Sequence, residues 1–358
     1  MHAQTTTDDR FYPVTTASIG LPVPDPDLAE RLGVRLAYVE ERLRDSVTHA
    51  DELANTTSRH LVDAGGKRLR PLLALLTAEL GESARPEVID AAVVVELTHL
   101  ATLYHDDVMD SAPLRRGAPA AHEVWGNSVA ILTGDLLFAR ASVTVAGLGP
   151  EAVRWQAETF ERLCLGQLHE TVGPRPDEDP VQHYLQVLSD KTASLIATSA
   201  RFGARYAGCR PEIVEIVANF GEKVGVAFQL ADDVIDLTSD GALTGKTPGT
   251  DLREGVPTMP VLLLRSHVAA SDEPSAGDLA LLELLDSDLT SDEALAGAVA
   301  ALRDHPVVAE TRAQAVAWAQ DAVAELVPLP DGPVKDALVA FAESLVDRTA
   351  LPLVDRTA

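Results

Sequence analysis

Two aspartate clusters share one spacing, Asp106-Asp107-Val108-Met109-Asp110 and Asp232-Asp233-Val234-Ile235-Asp236. In each, the first and last carboxylates are four residues apart and fall on one helical face. Like charges so placed weaken a helix unless a cation compensates. Carboxylate oxygens suit hard cations, and Mg²⁺ is typically shared between a few carboxylates and substrate phosphates. In an acidic chain a single cluster is an ordinary solvated face. Here both clusters close apolar runs, 93–103 and 224–230, at the helix end where the dipole disfavours anions. Six carboxylates at two such ends read as a set of Mg²⁺ ligands.

The cations are grouped as well. The stretch Gly65-Gly66-Lys67-Arg68-Leu69-Arg70-Pro71 sets three of them at a glycine break that opens a helix. Lys67 and Arg70, three apart, are expected on one face, and a helix N-terminus with basic side chains suits a diphosphate. Arg68 is read as a structural cation. Arg115 and Arg116 follow the first aspartate cluster, Lys191 follows Asp190, and Lys246 stands among glycines. His99 lies seven residues before Asp106, two turns down the same face, and joins the anion-binding set. His105 points elsewhere and is read as structural.

The elements that must carry these residues are helices. Apolar residues recur at three- and four-residue steps through 34–47, 69–80, 87–110, 127–147, 151–172, 182–206 and 212–237, with further helices expected over 305–326 and 333–347. Gly-Gly, Gly-Pro and isolated Gly or Pro punctuate the breaks. Residues 237–260, with four glycines, predict a long functional loop, and 269–291 an acidic surface excursion. Strand alternation is absent. The expected organisation is all-α: an extended tail over 1–26, one large domain over 27–350, and a tail over 351–358 that repeats Leu-Val-Asp-Arg-Thr-Ala.

Composition sets the limits. The chain has 358 residues, 46% of them hydrophobic, and a net charge of −26, enough apolar material for a large core. That charge repels nucleic-acid backbones and anionic lipid surfaces, so anionic substrates must be met by local cations and bridging metal. Cys164 and Cys209 read as reduced, packed thiols. No signal peptide and no integral membrane segment is expected, which predicts a cytoplasmic protein.

These motifs resemble the trans-isoprenyl diphosphate synthase family over nearly all of residues 30–347, and its long-chain members most. The matching stretches are Gly65–Pro71, Glu96–Asp107, Arg115-Arg116-Gly117, Gly134-Asp135, Gly166-Gln167 with Glu170, Lys191-Thr192, Gln229–Asp233, Gly245-Lys246 and Gly249–Leu252. The resemblance implies a single bundle of long, mostly antiparallel helices around a central cavity, usually a homodimer. It implies that Asp106, Asp107, Asp110, Asp232 and Asp233 hold Mg²⁺ against an allylic prenyl diphosphate. Arg115, Lys191, Thr192, Gln229 and Lys246 would grip that diphosphate, and Lys67, Arg70, His99 and Arg116 would hold isopentenyl diphosphate. Gly255-Val256 departs from the family's frequent Gly-Lys and removes one expected cation.

The implied activity is a prenyltransferase that lengthens the allylic chain by successive condensations. Ala101 and Thr102, five and four residues before Asp106, lie roughly 6–7.5 Å along the helix, where short-chain members carry an aromatic floor. Small residues there predict a product of roughly seven to ten isoprene units. The alternatives are a short-chain synthase, a class I terpene cyclase, or a regulatory subunit. The second aspartate cluster and the Lys67/Arg70 motif argue against the cyclase, and two intact clusters against the regulatory subunit.

Overall fold

The structure, a computed structural model, describes residues 22–238 and 248–347. Helices α1 (Pro26–Ser46) and α2 (Glu52–Asp63) begin the described chain, capped by the carboxylates of Asp25 and Asp51. Then come α3 (Leu69–Ala78), α4 (Pro86–Met109), a two-residue hairpin of β1 (Leu114–Arg115) and β2 (Ala118–Pro119), and a short α5 (Ala121–Trp125). Next are α6 (Asn127–Ala146), α7 (Pro150–Val172) and α8 (Pro180–Leu188), a π-helical turn (Ser189–Ala193), α9 (Ser194–Tyr206) and α10 (Pro211–Thr238). The second half adds α11 (Thr250–Glu254), α12 (Met259–Ala270), α13 (Ala276–Leu285), α14 (Asp292–Arg303), α15 (Pro306–Glu325) and α16 (Pro333–Asp347). Proline opens α1, α4, α7, α8 and α15, where its missing N–H costs nothing and its fixed φ suits the first turn.

The all-α expectation holds. Most long helices start and stop within about two residues of their sequence-based bounds, but α1 begins eight residues earlier than expected, and α2, α12 and α14 fall where no helix was specified. The acidic excursion over 269–291 contains α13, and the expected loop over 237–260 contains the end of α10 and all of α11. The 1–26 tail lies mostly outside the described residues, as do Lys246 and the repeated C-terminal hexapeptide except for its first residues.

Every residue of α3 from Pro71 to Ala78 is buried, and α3 packs against α4 and α9. Helix α4 also packs along α6, while α10 lies between α9 and α15. A helix that is apolar all round belongs at the centre of a bundle, and α4 meets that description. Buried apolar side chains form two clusters. One gathers α1–α4, α6, α7, α9 and the first half of α10 with α16; the other gathers the end of α10 with α8 and α11–α15. Both aspartate clusters therefore stand on central helices.

Among the described residues two helices, α4 and α6, are long and apolar enough by length and composition to cross a membrane. In the α4 window 67% of residues are buried inside the protein, so the apolar length is core. In α6 the buried share is 33%, and Ile131, Leu132 and Val143 stand exposed.

Helices α3 and α9 approach closely at Gly203, where a Cβ would run into the carbonyl oxygen of Ala74 and the hydroxyl of Thr77. Backbone cannot move aside as a flexible side chain can. Gly203→Ala should therefore lower unfolding free energy by about 1–3 kcal/mol despite alanine's better helix propensity. Urea titration followed by circular dichroism checks this, and an unchanged midpoint would contradict the packing described.

Candidate active site

The first cluster occupies the end of α4. Asp106 and Asp107 lie in its last turn, and Asp110 caps it with its N–H donating to the Asp106 carbonyl at 2.8 Å. No basic residue stands in that turn. Adjacent residues on a helix point about 100° apart, so the two neighbours have different surroundings. Asp107 is fully buried, and its Oδ1 accepts from Arg115 Nε at 2.6 Å and Nη2 at 2.5 Å, while Oδ2 is buried without a partner. The Asp106 carboxyl is pushed up to about 6, chiefly by burial; Lys191 and Arg115 oppose this, and Asp110 and Glu170 add to it.

The hairpin after α4 separates two arginines. Arg115 pairs with Ala118 across β1 and β2, leaving Arg116 and Gly117 as a two-residue turn with φ of 55° and 79°. Positive φ at both central positions is the hairpin turn that matches strand twist, and it strains Arg116 but not glycine. Arg115 turns back to Asp107. Arg116 reaches across to donate to the carbonyls of Leu61, at 3.0 Å, and Gly65. Gly66 makes room for it, since a Cβ there would lie 2.8 Å from the guanidinium carbon.

The Gly65–Arg70 segment is arranged differently from the sequence expectation. Helix α3 begins at Leu69, so exposed Lys67 lies in the preceding loop and shares no helical face with Arg70. Arg68 takes a left-handed conformation with φ of 48° and is buried as the structural cation expected. It donates to Glu40 at 2.5 Å, to Glu96 at 2.8 Å and to the Val62 carbonyl at 2.9 Å. Glu96 is 1% exposed, a carboxylate inside an otherwise apolar run, and it is the signal that could have exposed this network in the sequence. Arg70 keeps a buried Nε without a hydrogen-bond partner. The His99 imidazole is held well below its usual range, first by burial and then by Arg70 and Arg116, so it is neutral at physiological pH. Arg70, Arg116 and His99 thus surround one region beside the end of α4.

Lys191 sits in the π turn and ion-pairs with Glu170 of α7. Thr192, next to Lys191 on the π turn, and Gln229, on α10, are half-buried. In the second cluster, Asp233 is buried. The Tyr184 hydroxyl lies 3.0 and 2.9 Å from its two oxygens, and the Met259 amide donates to Oδ2 at 3.0 Å. Burial pushes its carboxyl up to about 8 against those donors. Asp233 therefore ties α8, α10 and the start of α12 together, whereas Asp232 and Asp236 are half-buried on other faces. The two clusters border a common region: Glu254 of α11 feels both Asp110 and Asp251, and Asp251 in turn acts on Asp233.

Ala101 is fully buried, and Thr102 is half-buried with its hydroxyl donating to the His99 carbonyl at 2.8 Å. Tyr104 is buried, its hydroxyl donating to the Thr57 carbonyl at 2.5 Å. His105 is likewise structural, 3.1 Å from the Ile131 carbonyl.

The donor set fits a hard divalent cation. All candidate ligands are carboxylates, Asp107 keeps an orphaned buried oxygen, and burial pushes the Asp106 carboxyl up despite Lys191 and Arg115. Among the described residues no three acidic, histidine or cysteine side chains converge on one point. Ions bound here must complete their shells with oxygens from a ligand, as Mg²⁺ does with phosphates.

The chain is similar to known proteins over most of its length. The polyprenyl synthetase family model matches residues 51–300. A nonaprenyl diphosphate synthase of Mycobacterium tuberculosis is 42% identical over 334 residues, covering 93% of this chain and 98% of its own. A geranylgeranyl pyrophosphate synthase from Corynebacterium glutamicum, solved with calcium and isoprenyl diphosphate, is 42% identical with a TM-score of 0.81, covering 92% of this chain and 99% of its own. A decaprenyl diphosphate synthase from Rhodobacter capsulatus is 32% identical with a TM-score of 0.79, covering 90% of this chain and 98% of its own.

Arg68→Met strands the Glu96 carboxylate in the core and should cost about 3–5 kcal/mol. Replacing both partners, Arg68→Met with Glu96→Leu, should recover most of that loss. Chemical denaturation of the two variants measures it, and equal losses would mean that Arg68 does not compensate Glu96.

Proposed function

The chain belongs to the polyprenyl synthetase family, and on that footing we propose that it is an Mg²⁺-dependent all-trans polyprenyl diphosphate synthase making a long-chain product. The observation that carries the reading is the gathering of cations around the first carboxylate cluster. Arg115 and Lys191 act on Asp106, Arg70 interacts with it as well, and Arg70, Arg116 and Arg115 all act on neutral His99. The hairpin turns Arg115 to Asp107 and Arg116 to the Leu61 and Gly65 carbonyls, a spread of cations that suits two diphosphates, one leaving and one spectator.

In this reading Arg115, Lys191, Thr192, Gln229 and Lys246 hold the allylic diphosphate, and Lys67, Arg70, His99 and Arg116 hold isopentenyl diphosphate. The site carboxylates Asp106, Asp107, Asp110, Asp232, Asp233 and Asp236 supply the oxygen ligands, with Asp107 and Asp233 also engaged by Arg115, Tyr184 and Met259. Bound Mg²⁺ would add positive charge against the leaving diphosphate. Arg115 and Lys191 stabilise charge on that group as the allylic C–O bond breaks. The alkene of isopentenyl diphosphate forms the new C–C bond, and the proton then lost goes to the released diphosphate, so no protein base is assigned. Buried side chains around α4 keep water from the carbocation.

Ala101 and Thr102 leave the helix face below Asp106 without an aromatic floor, which supports a product of roughly seven to ten isoprene units over a channel starting roughly 6–7.5 Å along α4. A shorter product is the second reading. Phe138 of α6 stacks on Phe160 of α7 at 3.8 Å, one turn beyond Gly134, whose Cβ position is 3.1 Å from the Ala101 carbonyl. That pair could floor the channel from neighbouring helices. The reading also includes a homodimer in the cytoplasm. It is supported by exposed Leu132 and Val143 on α6 and Leu165, Leu168 and Val172 on the adjacent α7, an apolar face of the kind partners cover.

Mass spectrometry after incubation with an allylic starter, isopentenyl diphosphate and Mg²⁺ tests the activity and reads the product. Asp106→Ala should reduce turnover by roughly a hundredfold or more with circular dichroism unchanged; near-normal turnover would remove Asp106 from the metal site. Lys67→Ala should raise KM mainly for isopentenyl diphosphate, and Lys191→Ala or Lys246→Ala mainly for the allylic substrate. Ala101→Phe should shorten the product to three or four units. If instead the wild type stops short and Phe138→Ala lengthens its product, the floor is the aromatic pair.

A further inference from the structure

Lys191 faces Glu170 because the chain around it is not α-helical. Ser189–Ala193 form a π turn, closed by the Ser194 N–H donating to the Ser189 carbonyl. Such a turn inserts one residue, and relative to a continuous α-helix it rotates every side chain it carries. A π turn is less stable than the α-helix it interrupts, so something must hold it.

Three neighbours do. Gly166 of α7 lets the turn approach, since a Cβ there would stand 2.5 Å from the Lys191 amide nitrogen and 2.9 Å from its Cα. Gly225 of α10 does the same on another side, 2.5 Å from Ala193 Cα. Arg162, one turn before Gly166, supplies the polar contacts. Its Nε donates to Asp190 at 2.7 Å, its Nη1 to Glu222 at 3.0 Å, and its Nη2 to Glu222 at 2.5 Å, to the Ser189 carbonyl at 3.1 Å and to the Ser189 hydroxyl at 2.9 Å. The Ser189 hydroxyl in turn donates to Glu222 at 2.6 Å, and Gln186 to the second Asp190 oxygen at 2.8 Å.

We infer that Arg162 is a positioning residue for the allylic diphosphate site: it clamps the π turn through Ser189 and Asp190 and so aims Lys191 at Glu170 and Asp106. The inference rests on the reading of Lys191 as a diphosphate ligand. An isolated ion pair at this exposure would contribute little. Arg162 differs because its fork spans the carbonyl and side chain of one turn residue, the carboxylate of the next, and Glu222 of a third helix. Beside it runs a cleft of about 180 Å³ lined by Trp155, Arg201 and Asn219 among others. Water entering that cleft can solvate Asp190 and Glu222 when Arg162 is shortened, so the fold survives the test.

The experiment measures KM for both substrates in Arg162→Met, Arg162→Lys, Lys191→Ala and the Arg162→Met/Lys191→Ala double variant. It also follows hydrogen exchange in the 186–195 peptide. Arg162→Met should raise the allylic KM roughly tenfold, leave the isopentenyl KM within about twofold, and speed exchange in that peptide. Arg162→Lys should fall between Arg162→Met and wild type. The double variant should match Lys191→Ala alone, because a residue acting through another adds nothing once that other is gone. Additive losses, equal losses for both substrates, or an unchanged allylic KM would overturn the clamp. Should Arg162→Met fold poorly, Gly166→Ala displaces the same turn without altering charge and must give the same split between substrates. If Lys191→Ala leaves the allylic KM unchanged, the ligand role of Lys191 fails. Exchange in Arg162→Met still decides whether Arg162 holds the turn, and unaltered exchange overturns it.

Discussion

Carboxylates at the C-terminal end of a buried helix are opposed twice, by the helix dipole and by loss of water. Both aspartate clusters are under this constraint, and much of the surrounding architecture answers to it. Burial pushes the Asp106 carboxyl to about 6 and that of Asp233 to about 8. Protein groups offset part of the cost: two guanidinium nitrogens on Asp107, and a hydroxyl and an amide on Asp233. What remains is the Asp106 carboxylate, raised by burial, and a buried unpartnered oxygen on Asp107, groups that metal ions shared with a polyphosphate can satisfy.

Scarcity of cations shapes the rest. With 29 basic against 55 acidic residues, the chain divides its cations between structural and functional use. The structural ones are saturated. Arg68 joins Glu40 to Glu96, and Arg162 joins Asp190 to Glu222, each also gripping backbone. Each saturated arginine stands behind a presented one. Arg68 fixes the loop that carries Lys67 and leads into the helix that carries Arg70, and Arg162 lies against the turn that carries Lys191. Arg70 keeps an unpaired Nε, as do Arg35, Arg140 and Arg201 among others. Preorganised cations of this kind are useful because a diphosphate then binds without reordering long side chains.

Sequence alone determined most of the long helices and their ends, the two aspartate clusters and the identity of the cationic groups, but not α2 or α12 to α14. Helical period and proline or glycine punctuation are local properties, readable within one or two turns. The family resemblance rested on the same short stretches. Local reading failed where a residue's role depends on which neighbour it meets. Asp106 and Asp107 are chemically identical and adjacent, yet one borders Lys191 while the other is buried against Arg115. Lys67 and Arg70 have helical spacing but lie on opposite sides of a helix start. The π turn at Ser189–Ala193 has no periodic signature, since Gly166, Gly225 and Arg162, 23 to 36 residues away in sequence, select it through contact. Tertiary structure decided these points because burial and pairing energies arise between elements, and no window along the chain contains both partners.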